Sequence, residues 1–233
     1  MVSLVPSLTE ALASVNPEAL VGATDWCTHP GNLVTKRVRG TKNPDCALIA
    51  SLSPDIVIAN KEENRLIDVD RLRAAGVQVW VTDIESVSDA LTSMRRLFSE
   101  CLHWPVPDWL DQAEQVWALP PVLPPLRTAV AIWRDPWMVV GRQTFTGDVL
   151  SRLGLQHVFA QHQERYPAVA LAEIDDVDLV LLPDEPYAFS DSDGPEAFAR
   201  ARTCLVSGRL LTWYGPSMAQ AREDLSLAIA GSM

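Results

Sequence analysis

The chain has 233 residues, 48% hydrophobic and 21% charged, which reads as an ordinary soluble globular protein with room for one large domain or two small ones rather than a disordered or fibrous chain. A formal net charge of -11 excludes the clustered basic face that nucleic acid or an anionic membrane surface would require. Every apolar run is broken by a charge, Pro or Gly well before the roughly 18 residues that a membrane-spanning helix needs.

Met1-Val2-Ser3-Leu4-Val5 opens directly as a strand, with no basic region, apolar stretch or cleavage site ahead of it, so the protein is expected in the cytoplasm; export is the alternative if an upstream signal was trimmed. Residues 2–5, 20–24, 55–60 and 78–82 are short runs rich in Val and Ile that predict strands buried on both faces, the pattern of a parallel sheet. Helical patterns lie between them. Ser7-Leu8-Thr9-Glu10 has capping-box spacing, residues 46–52 form a short helix ended by Ser53-Pro54, and residues 69–75 form another closed by Gly76. Residues 87–102 and 107–119 predict two further helices, the second ended by Pro120-Pro121 with Pro124-Pro125 behind it, and such prolines make a stiff, extended connector. Trp104, Trp109 and Trp117 are expected to pack this region by ordinary aromatic burial.

The second half repeats the alternation, with strands over residues 128–133, 137–140, 157–159, 178–182 and 204–206 and helices over 145–153 and 216–230. The fold class expected is α/β, two doubly wound lobes joined by a single connecting helix. Its divisions are an N-terminal lobe over residues 1–98, a helical, proline-rich connector over 99–126 and a C-terminal lobe over 127–233.

Four stretches carry a family resemblance. Ser3-Leu4-Val5-Pro6-Ser7-Leu8-Thr9-Glu10 resembles the first strand, loop and helix start of the vitamin B12 and iron-siderophore solute-binding proteins, the helical-backbone metal receptors. Leu48-Ile49-Ala50-Ser51-Leu52-Ser53-Pro54-Asp55-Ile56-Val57-Ile58-Ala59, Leu72-Arg73-Ala74-Ala75-Gly76-Val77-Gln78-Val79 and Gly147-Asp148-Val149-Leu150-Ser151-Arg152-Leu153-Gly154 continue it in the same order along nearly the whole chain. The resemblance implies a ligand cleft between two lobes with little closure on binding. It also implies a non-enzymatic protein that binds a corrinoid such as cobalamin, or a ferric-siderophore-type metal chelate. The connector looks shorter and richer in proline than the family's long helix.

In open α/β sheets ligands bind outside the carboxyl ends of the strands. Residues there include Asp25 to Pro30, Asn60 to Asn64, Arg134 to Trp137, Asp184 to Tyr187 and Thr212 to Tyr214, and the resemblance adds the loop Gly40-Thr41-Lys42-Asn43-Pro44. Trp26, Trp133, Trp137, Tyr187, Trp213 and Tyr214 would form a rigid lining suited to a large planar ligand, although Trp133 alternates within its strand and fits a core equally well. Among polar groups, His29 is a candidate for a metal or a corrin's cobalt, though a lone His beside Pro is more often a structural hydrogen-bonder. Glu62, Glu63 and Asn64 are candidates for a cationic or amide-bearing ligand, Lys42 is a candidate from the loop that the resemblance adds, and Arg142 and Tyr166 complete the set. No covalent cofactor and no bare metal site is expected, because His103, His157 and His162 fall elsewhere. The cysteines Cys27, Cys46, Cys101 and Cys204 lack CxxC spacing and read as plain thiols.

Enzyme signatures are absent: the chain has no GxSxG elbow, no P-loop and no HExxH. The run Gly141 to Asp148 precedes a helix and suits an anion, but lacks the P-loop lysine, so an enzyme on this fold is only the minor alternative. Importer-coupled relatives dock through an acidic side chain on each lobe. The resemblance aligns Ala47 and Gly215 with those two positions, so the docking glutamates are expected to be missing, although Asp45 and Glu223 lie close by. An ABC importer as partner remains the alternative.

Overall fold

Each apolar run expected as a strand forms one, and in the computed structural model, which describes residues 1–232, the chain divides into two compact units. Unit 1 comprises Met1–Ile84, Leu91–Leu110 and Tyr214–Pro216, and unit 2 comprises Glu85–Ala90, Asp111–Trp213 and Ser217–Met233.

In unit 1 the order is β1 (Val2–Ser3), α1 (Pro6–Ala13), β2 (Gly22–Ala23), β3 (Lys36–Arg37), the hairpin β4 (Arg39–Gly40) and β5 (Asn43–Pro44), α2 (Cys46–Ser51), β6 (Val57–Asn60), α3 (Leu66–Ala74) and β7 (Val79–Thr82). Its main sheet runs β3-β2-β1-β6-β7 and all its pairings are parallel. The chain builds outward from β1 to β3, then crosses to the other side for β6 and β7, so the order reverses between β1 and β6. Buried Val2, Leu4, Val57 and Ala59 from the sheet pack with Ile49 of α2 and with Val69 and Leu72 of α3. Strand β3 and the hairpin are not legible as strands because Lys36, Arg37 and Arg39 are exposed charges with no apolar alternation.

The capping box is a correction. Helix α1 begins two residues earlier, with extended Val5 as its cap, no side-chain cap bond and Pro6 in its first turn. Ser7 already lies inside the helix and is buried. Pro6 supplies the start by itself, because its fixed φ suits the first helical position and its missing N–H would have had no partner there.

Helix α4 (Val87–Arg96) gives way to a π turn, Leu97–Cys101, where one straight helix over 87–102 is expected. Leu102 N donates to Leu97 O at 3.0 Å across the widened turn. Within unit 1, buried Phe98 meets Trp104 at 6.4 Å and Trp109 at 6.2 Å. Trp109 Nε1 donates to Ser14 Oγ at 3.1 Å.

Unit 2 holds α5 (Asp108–Trp117) from Asp111 onward, β8 (Arg127–Trp133), β9 (Met138–Val139), α6 (Phe145–Leu153), β10 (Gln156–His157), α7 (Leu171–Ile174), β11 (Leu179–Pro183), β12 (Arg202–Val206), α8 (Gly208–Thr212) and α9 (Met218–Gly231). Its parallel strands run β10-β8-β11-β12, and this order reverses between β8 and β11. Strand β9 pairs antiparallel with β8. The four residues between them, Arg134 to Trp137, are too few for the crossover that a parallel partner needs.

Buried Ala129, Val139, Val180 and Leu182 form the core with Trp137, Ile174 and Phe189. The proline segment is tied to the end of α6, since Val122 N and Leu123 N both donate to Leu153 O, at 3.3 and 2.9 Å. Gly154 makes that approach possible: it caps α6 at φ 106°, and a Cβ there would stand 2.5 Å from Leu123 O. Trp117 is buried and its Nε1 donates to Met218 O at 2.9 Å.

Candidate functional site

The carboxyl ends of β1 and β6 flank the reversal point of the unit 1 sheet, where open α/β sheets form their ligand crevices. Asn64 closes that end. Its Oδ1 accepts from Asn60 N at 2.9 Å, and its Nδ2 donates to Thr41 O at 2.9 Å and more weakly to Leu4 O at 3.4 Å. With 5% exposure, Asn64 joins β1, β6 and the hairpin turn. Asn60 Oδ1 in turn accepts from Glu62 N at 2.9 Å and Glu63 N at 3.2 Å, folding the loop back on its strand. Lys42 Nζ donates to Glu62 O, which brings Lys42, Glu62 and Asn64 into one cluster. Burial pushes the Glu63 carboxyl above its ordinary range, and nearby Lys42 offsets part of that rise.

Trp26 is presented differently. Its neighbour Cys27 is fully buried, accepts a hydrogen bond from Thr9 Oγ1 at 2.9 Å and lies 3.1 Å from Thr24 Oγ1. Burial pushes the Cys27 thiol up, so it stays protonated and anchors the loop. Arg37 Nη1 donates to Thr24 O and Cys27 O, each at 2.9 Å, fixing the loop from β3. Trp26 itself is left 67% exposed, and Gly40 passes so close that a Cβ there would lie 3.2 Å from Trp26 Nε1. His29 is exposed with its Nδ1 3.2 Å from Thr28 Oγ1. Tyr214 is buried.

In unit 2 the corresponding ends are those of β8 and β11. Trp133 remains 44% exposed and meets Tyr187 edge-on at 5.5 Å. Trp137 is buried, stacked on Phe189 at 5.9 Å and meeting Phe198 edge-on at 5.2 Å. Arg134 lies over Trp137 at 5.6 Å and donates to both Asp193 and Glu196. Tyr187 Oη donates to Asp193 Oδ2 at 2.7 Å. Asp193 and Glu196 are the members of this end that the sequence did not single out. Their signal was weak, because they sit in a polar turn 59 and 62 positions from the arginine they bind.

The remaining candidates fall apart from this cluster. Thr212, Trp213 and Tyr214 do not follow a strand: α8 intervenes, and Trp213 is its capping residue, buried with its N donating to Arg209 O at 3.2 Å. The short helix was hidden by its Gly start and length of 5 residues. Arg142 is exposed at the turn before α6, and Tyr166 is half-buried beside Arg165, whose guanidinium pairs with Glu85 at 2.5 Å. The first turn of α6 is capped internally, with Thr144 Oγ1 accepting from Gly147 N at 3.1 Å. Of the two docking positions, Ala47 is exposed on α2, while a Cβ at Gly215 would stand 3.1 Å from Ser7 O. Asp45, close to Ala47, caps α2 by accepting from Leu48 N at 3.0 Å.

Two surface hollows, of about 440 Å³ in unit 1 and about 610 Å³ in unit 2, lie at the amino ends of the strands around Ile56 and Val77 and around Arg127 and Val177. Neither is lined by a candidate residue, so volume and chemistry point to opposite ends of each sheet. The exposed aromatics Trp26 and Trp133 line neither hollow, and the carboxyl ends, which join such rings to polar groups, are the better candidate. Among the described residues no group of three or more His, Cys, Asp or Glu could hold a metal ion, and no helix is long and apolar enough to cross a membrane.

No protein-family model matches the chain. A vitamin B12-binding protein of Pectobacterium atrosepticum is 21% identical over 189 residues, 75% of this chain and 67% of that protein. Among solved structures, the periplasmic vitamin B12-binding protein of Vibrio cholerae superposes with a TM-score of 0.80 at 17% identity, over 99% of this chain and 96% of its own. A periplasmic heme-binding protein from Roseiflexus, in its apo form, gives a TM-score of 0.79 at 20% identity, over 99% and 97%. The α/β class with a doubly wound sheet in each unit is therefore theirs as well. The chain thus shares its fold with these periplasmic vitamin B12- and heme-binding proteins and is similar in sequence to a vitamin B12-binding protein, the similarity that its strand, loop and helix motifs imply.

Proposed function

We propose that the protein binds a corrinoid, or a metal chelate of similar size, and releases it unchanged. The observation that carries this reading is the exposure of large aromatic rings at the carboxyl ends of both sheets: Trp26 in unit 1 and Trp133, set edge-on against half-buried Tyr187, in unit 2. Rings exposed to solvent at a loop or strand end give up stability that burial would supply, and they suit the flat, partly apolar face of a tetrapyrrole-like ligand. Lys42 and Glu62 stand at the unit 1 end as polar contacts, with Asn64 as the clamp beneath them. Relatives named for vitamin B12 and heme support the ligand class.

Those solved structures are of periplasmic proteins, which supports export of this protein over a cytoplasmic carrier role. Cyanocobalamin titrated into the purified protein should quench tryptophan fluorescence saturably and raise the melting temperature. A panel of corrinoids and metal chelates that leaves both unchanged would overturn the reading, and chemical conversion of a bound ligand would favour the enzyme alternative.

A further inference from the structure

The carboxyl end of unit 2 joins an exposed aromatic shelf to an unusual balance of charge. Arg134 follows the exposed ring of Trp133, yet its guanidinium already bonds Asp193 and Glu196 and covers Trp137. A third carboxylate, Asp135, stands 4.0 Å from Arg134 with its side chain 91% exposed. One guanidinium against these three carboxylates leaves a net charge of -2 beside the shelf. The hydrogen bond from Tyr187 holds Asp193 below the usual carboxylate range, and the bond from Arg134 does the same for Glu196, so both are ionised near neutral pH.

A ligand face bearing carboxylates or catecholate oxygens would meet this negative charge at short range, where salt screens incompletely. A face of uncharged amides can instead donate N–H groups to the same carboxylates while its ring system lies on Trp133 and Tyr187. Building on the corrinoid reading, we propose that the unit 2 shelf selects an uncharged, amide-bearing planar ligand over a carboxylate- or catecholate-bearing one. Arg134 is then a positioning residue that holds the loop carrying Asp193 and Glu196, and does not anchor an anion.

The probes are cyanocobalamin, with its amide side chains, and hemin, with its two carboxylates, each titrated against the whole protein at low and high salt. Cyanocobalamin affinity should be nearly independent of salt, whereas hemin should bind about tenfold or more weaker and gain affinity as salt screens the repulsion. Asp135 has φ 58°, which Asn tolerates, so Asp135→Asn removes the charge without straining the backbone. It should strengthen hemin binding about threefold and flatten its salt dependence, while Asp70→Asn on the exposed side of α3 leaves hemin binding unchanged. Arg134→Gln should weaken both probes, because the loop carrying Asp193 and Glu196 loses its tie, and hemin the more, because the three carboxylates are left uncompensated.

Hemin binding as tight as cyanocobalamin and weakened by salt would overturn the selectivity, as would equal effects of Asp135→Asn and Asp70→Asn. Cyanocobalamin binding unchanged in Arg134→Gln would overturn the assignment of that residue as the holder of the loop. Binding of neither probe would overturn the corrinoid reading itself, and this inference with it.

Discussion

Asn60 and Asn64 bind each other in both directions: Asn60 N donates to Asn64 Oδ1 at 2.9 Å, and Asn64 N donates to Asn60 O at 2.9 Å. The pair closes the loop past β6 while the Asn64 amide reaches Thr41 O and Leu4 O. Replacing Asn64 by Ala leaves several of these buried groups without a partner, which costs about 1–3 kcal/mol. Urea unfolding of Asn64→Ala should show that loss. A midpoint equal to wild type would remove the clamp from the account of this loop.

Tryptophans of equal chemistry should divide by burial. Trp137 is 9% exposed and stacked on Phe189, so Trp137→Ala should destabilise unit 2 by about 3–5 kcal/mol. Trp26 and Trp133 are 67% and 44% exposed, so their alanine variants should keep near-native melting temperatures. The same two variants should weaken cyanocobalamin binding by roughly 1–3 kcal/mol if the rings are contact residues. Calorimetric titration beside thermal melts separates the two effects, and an affinity unaffected in both variants would remove these rings from the site.

Glu63 should make stability fall as pH rises. Burial raises its folded-state pKa above 4.5, so between 4.5 and the raised value the native state holds more protons than the unfolded chain. Stability from this group is fully present below that window and is lost as pH rises through it. Glu63→Gln should flatten this limb of the stability curve and be the more stable protein at neutral pH. An unchanged slope in the variant would place Glu63 in a more solvated setting than its packing indicates.

His157 acts in the opposite direction. Its Nε2 donates to Val140 O at 2.9 Å, and burial pulls its pKa below 6.5, with that bond offsetting part of the fall. Below 6.5 the unfolded chain takes up a proton that the native state refuses, so stability is lost as pH falls from 6.5 towards the lowered value. Melting temperatures of wild type and His157→Gln should converge or diverge across that range and run parallel above it. Parallel curves throughout would count against the shift.

The periodicity of apolar residues determined a good deal by itself. Runs such as residues 55–60 and 178–182 hold the strands Val57–Asn60 and Leu179–Pro183 because backbones buried on both faces must pair, and their Val, Ile and Leu content says so locally. Gly76 and Gly154 mark helix ends for an equally local reason, a positive φ that other residues adopt only with strain. Exposed charged strands escaped the same test: Lys36 and Arg37 pair only because β2 is already in place beside them.

Tertiary structure alone decided which strand-end residues face solvent. Trp133 and Trp137 are four positions apart in one turn, yet β9 folds back and buries the second under Phe189 and Phe198 while the first stays open. Trp213 reads as a loop residue until α8 forms and carries it into the interior. The charge of the unit 2 shelf was likewise invisible, because Arg134 is neutralised by Asp193 and Glu196 from a turn that reaches it only after β11 has paired with β8. Local pattern reports the burial of a segment's own backbone; the surroundings of a side chain at a strand end are set by residues distant in sequence, whose approach depends on the order of strands in the sheet.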